Sequence, residues 1–279
     1  MKLLWIGVLM APLAISAAPA AKKLAIVATA FANSDDGPAA ASDDQFVPGE
    51  TLYFRCQVEG YKRTDANEVK IGYEMQAADA HDVALQLSEK GAVSTTLSPE
   101  DKNWLPKLRY SVVIPPLAES GEYHVLIKVK DELGGTTAEA RATFLVRGHP
   151  VEPSDSLAVR NFRFFRNEND ANPIQIAAYR PGDSLWARFD MTGYKIAEKN
   201  LFDIGYGLVV LREDGSVAYS QPEAAVSKEA PFYPQRYQPG ELSLNLPKDI
   251  AKGKYTIVLT VHDNLGQQTS ETREKFSIE

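Results

Sequence analysis

The sequence predicts an all-β fold in which two tandem antiparallel β-sandwich domains follow a signal peptide. Apolar and polar residues alternate over many short segments, turn-forming residues separate these segments at regular spacing, and no sustained helical period is present. The second half of the chain also repeats the first. Residues 48–62 (PGETLYFRCQVEGYK) align with residues 181–195 (PGDSLWARFDMTGYK) at an offset of 133, and 7 of the 15 positions are identical. Such self-similarity indicates a duplicated domain.

The length and composition of the chain fit two globular domains. It has 279 residues, of which 44% are hydrophobic, and its formal net charge at pH 7 is −7. An acidic chain without long runs of like charge does not favour nucleic acid or an anionic membrane surface as a partner, because both recruit basic patches.

The first twenty residues have the pattern of a secretory signal peptide. Met1 and Lys2 precede an apolar run over residues 3–15, and Ala18-Pro19-Ala20 matches the small-residue cleavage pattern. The run is short for a bilayer span, so an uncleaved anchor is the less favoured alternative. We expect a periplasmic or secreted protein with no membrane span in the mature chain. The predicted parts are a signal peptide over 1–20, domain 1 over 21–148, a linker over 149–156 and domain 2 over 157–279.

The strands of the two predicted domains follow one another in the same order. A first strand (24–31 and 157–165) leads into a loop rich in Asp and Asn, and a Pro-Gly pair then opens a strictly alternating second strand. The inward positions of the second strand are Leu52, Phe54, Cys56 and Val58, and Leu185, Ala187, Phe189 and Met191. Further strands are predicted at 69–75 and 110–115, and at 202–208 and 242–247. Ser98 and Pro99 have the pattern of a short helix start.

Cys56 is the only cysteine in the chain. In an oxidising compartment a lone thiol is either buried or reactive toward another chain. Because Cys56 alternates with apolar residues and Phe189 takes its place in the second copy, we expect a buried small hydrophobe rather than a reactive thiol.

The last hairpin of each copy has the same skeleton, over residues 121–144 and 253–276. Each begins with Gly-x-Tyr, continues as an apolar ladder and turns at Val-x-Asp-x-Leu-Gly. The structural positions marked by this skeleton are Tyr123, Asp131 and Gly134, and Tyr255, Asp263 and Gly266. We expect each aspartate to cap its turn by hydrogen bonds to the backbone rather than to hold a ligand.

A family resemblance rests on the segments that begin the two hairpins, Gly121-Glu122-Tyr123 and Gly253-Lys254-Tyr255. They are similar to the tyrosine corner of the immunoglobulin-like superfamily, so the chain resembles the disulfide-free form of that family found in bacterial envelope proteins. The resemblance implies that each tyrosine hydroxyl bonds to nearby backbone. The family's bridging cysteine would fall at Val125 and Ile257, so the resemblance implies no internal disulfide, although Cys56 lies at the partner position. It implies a fold and no activity.

Recognisable motifs of catalysis or metal binding do not occur in the sequence. There is no G-x-S-x-G elbow, no H-E-x-x-H and no C-x-x-C, and the four histidines are scattered. We therefore expect no catalytic residue, no bound metal and no cofactor. The acidic loops with Asp35-Asp36 and with Glu168 and Asp170 offer oxygen ligands, so calcium stays an alternative to plain solvated turns.

Four aromatic residues and one arginine are the candidate contacts for a partner or ligand. Trp186 faces outward on the second strand, and the loop 230–240 concentrates the residue types enriched in binding hot spots. The candidates are Trp186, Phe232, Tyr233, Arg236 and Tyr237. The first copy has only Trp104-Leu105-Pro106 at that loop, and function tends to diverge where loops differ. The alternative is that these side chains merely cap the open end of the sandwich.

These observations favour a non-enzymatic binding or scaffold protein that presents loops and a sheet face to another envelope protein. Unpaired edge strands offer a further way to hold a partner, by β-strand pairing. The alternatives are a carbohydrate-binding protein that stacks a polysaccharide on its aromatic side chains and, least favoured, a periplasmic enzyme of unrecognised type.

Overall fold

The computed structural model describes residues 22–101 and 103–279, and the predicted signal peptide lies outside these ranges. The described chain is all-β, as predicted, with sixteen strands and one short 3-10 turn at Glu198–Asn200. The N-terminal half contains β1 Ala25–Ala32, β2 Gln45–Phe46, β3 Thr51–Glu59, β4 Glu68–Ala78, β5 Glu89–Thr96, β6 Lys107–Val113, β7 Gly121–Asp131 and β8 Thr137–Val146. The C-terminal half contains β9 Ala158–Phe165, β10 Ala178–Tyr179, β11 Ser184–Thr192, β12 Phe202–Arg212, β13 Val217–Glu229, β14 Tyr237–Asn245, β15 Gly253–Asp263 and β16 Gln268–Ile278. Within these ranges, no helix is long and apolar enough to cross a membrane.

Each half contains a three-stranded and a five-stranded sheet, and the strand order is the same in both halves. The orders are β1-β3-β6 and β2-β8-β7-β4-β5 in the N-terminal half, and β9-β11-β14 and β10-β16-β15-β12-β13 in the C-terminal half. The short β2–β8 and β10–β16 pairs are parallel, whereas the long hairpin pairs are antiparallel. The β-sandwich class is therefore confirmed, while the division into two domains at 149–156 stays a prediction.

An apolar cluster fills each half, because alternate side chains of the facing sheets point inward. The inward ladders predicted for the second strands are confirmed, since all of their members are buried: Leu52, Phe54, Cys56 and Val58 on β3, and Leu185, Ala187, Phe189 and Met191 on β11. The final hairpins supply the opposite walls, with Val125, Ile127 and Val129 on β7, and Ile257, Leu259 and Val261 on β15. Tyr233 of the C-terminal half packs into the cluster of the N-terminal half, so the two cores are not independent.

Cys56 is buried, as predicted, with 1% of its surface exposed. It is a free thiol, and burial raises its pKa to about 12. Because the thiolate is the reactive form, we expect a thiol reagent at pH 8 to modify the native protein about 100-fold or more slowly than the urea-unfolded chain. Absorbance kinetics with an aromatic disulfide reagent measure both rates, and equal rates would contradict the burial of this thiol.

The tyrosines that begin the final hairpins bond to nearby backbone, as the family resemblance implies. The hydroxyl of Tyr123 donates to the carbonyl of Glu119 at 3.0 Å, and the hydroxyl of Tyr255 donates to the carbonyl of Ala251 at 2.7 Å. Both rings are buried, and each bond therefore holds the loop before the strand against the core. Membership of the immunoglobulin-like superfamily stays a prediction.

The turn aspartates cap their hairpins, as predicted, and each also holds a second turn. Oδ1 of Asp263 accepts the backbone N–H groups of Leu265 at 3.0 Å and Gly266 at 2.8 Å. Oδ2 of Asp263 accepts the backbone N–H of Lys195 at 2.8 Å, which ties the turn after β11 to the final hairpin. The first copy uses Asp131 with the backbone N–H groups of Leu133 and Lys62, at 3.0 and 2.7 Å.

Gly134 and Gly266 are required by these carboxylates. A Cβ atom at Gly134 would collide with Oδ2 of Asp131, and one at Gly266 would collide with Oδ2 of Asp263. The Leu-Gly pair shared by the two copies therefore reflects the close approach of a carboxylate to the backbone of the turn.

Candidate functional site: the aromatic loop and the β13 edge

The structure separates the five predicted contact residues instead of gathering them in one exposed patch. Phe232 is 53% exposed, whereas Tyr233 and Tyr237 are buried. Trp186 is half-buried on the three-stranded sheet of the C-terminal half. Tyr233 and Arg236 contact the N-terminal half of the same chain, and we call these contacts between the two halves the junction. While the junction is closed, neither side chain is free to bind a separate partner.

Tyr233 inserts its ring into the N-terminal half, where it is 5% exposed. Its hydroxyl donates to Oδ2 of Asp79 at 2.9 Å and lies 3.5 Å from the hydroxyl of Tyr123. Oδ1 of Asp79 accepts the backbone N–H groups of His81 and Val83 at 2.8 and 2.9 Å, so this buried carboxylate is satisfied from both halves. Burial above all, with the bond to Tyr123 and the charge of Asp79, raises the pKa of Tyr233 far above its usual value, and the hydroxyl stays a donor.

Arg236 forms an ion pair across the same junction. Its Nη1 lies 2.7 Å from Oε2 of Glu119 and 3.8 Å from Oδ2 of Asp79. The carbonyl of Glu119 also accepts the hydroxyl of Tyr123, so the tyrosine corner of the N-terminal half carries the docking surface for the loop. A charge-assisted hydrogen bond in a half-buried setting favours one orientation of the two halves over others.

The loop that carries these two side chains is held in place by its own half. The side-chain amide of Asn200 donates to the carbonyls of Pro231 and Phe232 at 3.1 and 2.6 Å. The hydroxyl of Tyr194 donates to the carbonyl of Gln235 at 2.5 Å. Tyr194 belongs to Gly193-Tyr194-Lys195, which repeats Gly60-Tyr61-Lys62 of the first copy. In the C-terminal half this tyrosine therefore has a positioning role, because it fixes the loop that reaches the other half.

The linker side of the junction is tied to both halves. The backbone N–H of Gly148 donates to Oγ of Ser120 at 2.9 Å. On the other side, Oδ2 of Asp190 accepts the amide of Asn161 at 2.7 Å and lies 2.8 Å from Nε2 of His149. Together with the aromatic loop, these contacts hold the two halves as one unit.

Sequence reasoning missed the acidic residues that receive the loop and the linker. Asp79 and Glu119 follow strands of the first copy, and Asp190 lies on β11. A signal was available, because at the offset of 133 Asp79 aligns with Arg212 and Asp190 aligns with Gln57. A buried charge without a counterpart in the other copy indicates a role that the repeated fold alone does not require.

Strand β13 is the free edge of the five-stranded sheet in the C-terminal half. Val217, Tyr219 and Val226 on this strand leave apolar side chains in solvent, and Val226 is 64% exposed. The pairing register shifts between Tyr206 and Leu208 of β12, where β13 bulges at Pro222. The described residues place no further strand against the outer side of β13, so its backbone groups are open for pairing.

The equivalent edge of the N-terminal half has a different character. Strand β5 is 8 residues long, against 13 for β13, and none of the described large exposed apolar side chains lies on it. Ala92 of β5 pairs with Gly72 of β4, and Val226 of β13 pairs with Gly205 of β12. Gly72 and Gly205 are equivalent in the two copies, so Ala92 is the counterpart of Val226. The two edges therefore differ in length and in side chains, and the register shifts of β13 have no counterpart in the pairing of β5 with β4.

The described residues therefore form an all-β protein of antiparallel sandwiches. Its two notable features are the closed junction between the halves and the open apolar edge at β13. No protein-family model and none of the curated proteins matches the chain. Among solved structures, the C-terminal domain of the Streptococcus pyogenes antigen I/II-family protein AspA is 11% identical, with a TM-score of 0.30, covering 91% of this chain and 99% of that one. The C-terminal domain of the Streptococcus agalactiae AgI/II polypeptide BspA gives the same identity and TM-score, over 91% of this chain and 100% of that one. Similarity at this level carries no inference about function.

Proposed function

We propose that the protein is an exported, non-enzymatic binding or scaffold protein of the cell envelope that holds a protein partner at the β13 edge. The observation that carries the proposal is the thirteen-residue free edge with exposed Val217, Tyr219 and Val226. Export rests on the signal-peptide pattern of residues 1–20.

The chemistry of the edge favours an extended segment of a protein as its ligand. A free strand offers a row of N–H and C=O groups, and an added strand satisfies them while its alternate side chains meet those of the edge. Natural proteins protect long apolar edges with charges, bulges or covering loops. β13 has a bulge at Pro222 but keeps apolar side chains on both sides of it, so we expect apolar residues at alternate positions of the partner.

The closed junction supports a scaffold role. Tyr233 and Arg236 hold the two halves in one relative orientation, so a partner at β13 would be presented at a fixed position relative to the N-terminal half. Phe232 extends from the same loop and stays exposed, which makes it a candidate contact. By contrast, a polysaccharide could not stack on Tyr233 unless the junction opened, because this ring is buried in the apolar cluster of the N-terminal half.

We also propose that the two halves arose by duplication of one domain. The shared strand order and the paired tyrosine and aspartate contacts support a duplication of one immunoglobulin-like unit. Under this proposal the N-terminal copy serves as the support, and the C-terminal copy carries the binding edge.

Val226→Lys tests the edge, with Ala92→Lys as the matched control on β5. A lysine on an edge strand opposes addition of another strand, so we expect cross-linked capture of the envelope partner to fall about tenfold or more with Val226→Lys. Capture by Ala92→Lys should stay within about twofold of the unchanged protein. Quantitative mass spectrometry of the captured material measures the ratio, and both substitutions should leave stability nearly unchanged because both positions are exposed. Equal capture by the two variants would contradict the proposal.

A further inference from the structure

A cavity of about 830 Å³ lies on the outer face of the three-stranded sheet of the C-terminal half. Strands β9, β11 and β14 form its floor, His149 of the linker reaches its rim, and Leu117 reaches it from the N-terminal half. The rim therefore belongs to three parts of the chain and depends on the closed junction. Its size falls in the range of about 300–1,000 Å³ that small-molecule sites occupy.

A row of three charged side chains crosses the floor. Arg163 on β9 lies opposite Arg188 on β11, which in turn lies opposite Glu241 on β14. Like charges directly opposite one another destabilise a sheet, so the two arginines need compensation. Arg188 obtains it, because its Nε donates to Oε2 of Glu241 at 3.1 Å and its guanidinium packs over the ring of Phe165 at 4.3 Å.

Of the two arginines in this row, Arg163 is the one available to bind a ligand. Among the described residues it donates only to the carbonyl of Phe162, at 2.8 Å, and its charge acts on Glu274 without forming an ion pair. The rest of its guanidinium keeps free donors on the cavity wall.

The other end of the cavity offers hydrogen-bond acceptors. Asp190 is buried, and it holds His149 and Asn161 through one carboxylate oxygen. Nδ1 of His149 and Oδ1 of Asn161 have no hydrogen-bond partner within the described ranges. Oδ1 of Asn161 is available as an acceptor, because both N–H groups of its amide already donate, to Asp190 and to the carbonyl of Pro150.

The equivalent place in the N-terminal half lacks these features. Asn161 aligns with Ala28 at the offset of 133, and the cavity there is about 310 Å³. Two arginines line this smaller cavity, and both are engaged. Arg109 lies 3.0 Å from Asp35 and 2.9 Å from Asp36, and Arg55 donates to the carbonyl of Gly37 at 2.8 Å. The polar cavity is thus a specific property of the C-terminal half.

We propose that this cavity binds one or two sugar rings of a saccharide. The two arginines balance Asp190 and Glu241, so the walls carry no net charge that would select a simple anion. Sugar hydroxyls donate and accept at once, which matches a wall of mixed donors and acceptors. The apolar C–H face of a ring would pack on the apolar side chains of the wall, such as Leu117 and Pro239. The site differs in place and ligand from the β13 edge.

Calorimetry and amide NMR on the full mature chain test this site with free probes: maltose, cellobiose, N,N′-diacetylchitobiose and glucuronic acid, with acetate and glycylglycine as non-sugar controls. At least one sugar should bind and shift the amides around Asn161 and Arg163. Arg163→Met should weaken its binding about tenfold or more, because a charged donor is lost while the apolar stem remains. Arg109→Met, in the matched cavity of the N-terminal half, and Val226→Lys, on the β13 edge, should leave the affinity unchanged.

Three outcomes would overturn the proposal. The first is that no sugar binds at about 10 mM, a concentration at which even weak sites are occupied. The second is that glycylglycine or acetate binds while every sugar fails, which would assign the cavity to a carboxylate ligand. The third is that Arg163→Met and Arg109→Met weaken sugar binding equally, which would place the sugar elsewhere.

Discussion

Asp263→Ala is expected to lower the free energy of unfolding of the C-terminal half by about 3–5 kcal/mol. Asp263 is 1% exposed and accepts three backbone N–H groups, from Lys195, Leu265 and Gly266. Its Oδ2 also lies 3.4 Å from the side-chain amide of Gln268. Alanine removes the shared acceptor of these part-buried N–H groups, and the loss of a charged acceptor that serves three donors is the costly form of hydrogen-bond loss.

Chemical denaturation of the chain expressed from residue 21, followed by tryptophan fluorescence, measures this effect. That chain has one tryptophan in each half, Trp104 and Trp186, so Trp104→Phe leaves a reporter for the C-terminal half alone. Asp214→Ala is the matched control, because Asp214 also caps a turn, accepting the backbone N–H of Ser216 at 2.8 Å, but it is exposed. We expect the control to cost less than about 1 kcal/mol. Similar losses for Asp263→Ala and Asp214→Ala would refute the argument from burial.

Local patterns in the sequence are sufficient to predict most of the fold. Period-2 alternation identifies the inward ladder of β3, because a strand buries every second side chain. The tyrosine and aspartate contacts follow from short motifs whose partners lie a few residues away. Errors arise where several local interactions compete. The helix start predicted at Ser98 is a turn, since Oδ2 of Asp101 accepts both the N–H and the hydroxyl of Ser98.

Local sequence patterns do not predict the junction between the two halves. Tyr233 and Asp79 are separated by 154 residues, and Arg236 and Glu119 by 117. An aromatic, proline-rich loop has the same composition whether it binds another molecule or its own chain, so composition predicts a contact surface without its partner. The predicted start of the strand at residue 242 is late for a related reason. β14 begins at Tyr237, because pairing with β11 carries the strand through Pro239 and Gly240.

Tyr233→Ala is the second change for which we expect a large effect. Its ring belongs to the apolar cluster of the N-terminal half and its hydroxyl donates to Oδ2 of Asp79. Alanine therefore removes packing and takes away the hydroxyl donor of Oδ2, while Oδ1 keeps the backbone N–H groups of His81 and Val83. We expect the N-terminal half to lose about 3–5 kcal/mol, in the range of buried aromatic truncations. Tyr233→Phe keeps the ring and loses only the hydroxyl, which should cost about 1–3 kcal/mol. Fluorescence of Trp104 during denaturation, with Trp186→Phe, measures both values.

The same variants separate a structural loop from a partner site, which are the two interpretations of the aromatic residues. Phe232→Ala is the matched control, because Phe232 directly precedes Tyr233 in the chain yet remains exposed, and it should change stability by less than about 0.5 kcal/mol. If Tyr233 closes the junction, Tyr233→Ala should also widen the distribution of distances between the halves in spin-label measurements, while Phe232→Ala leaves it narrow. A narrow distribution for Tyr233→Ala, with stability equal to that of Phe232→Ala, would show that the contacts with Asp79 and Tyr123 do not hold the halves together. The junction would then be free to open, and Tyr233 would return to the set of residues available to an outside partner.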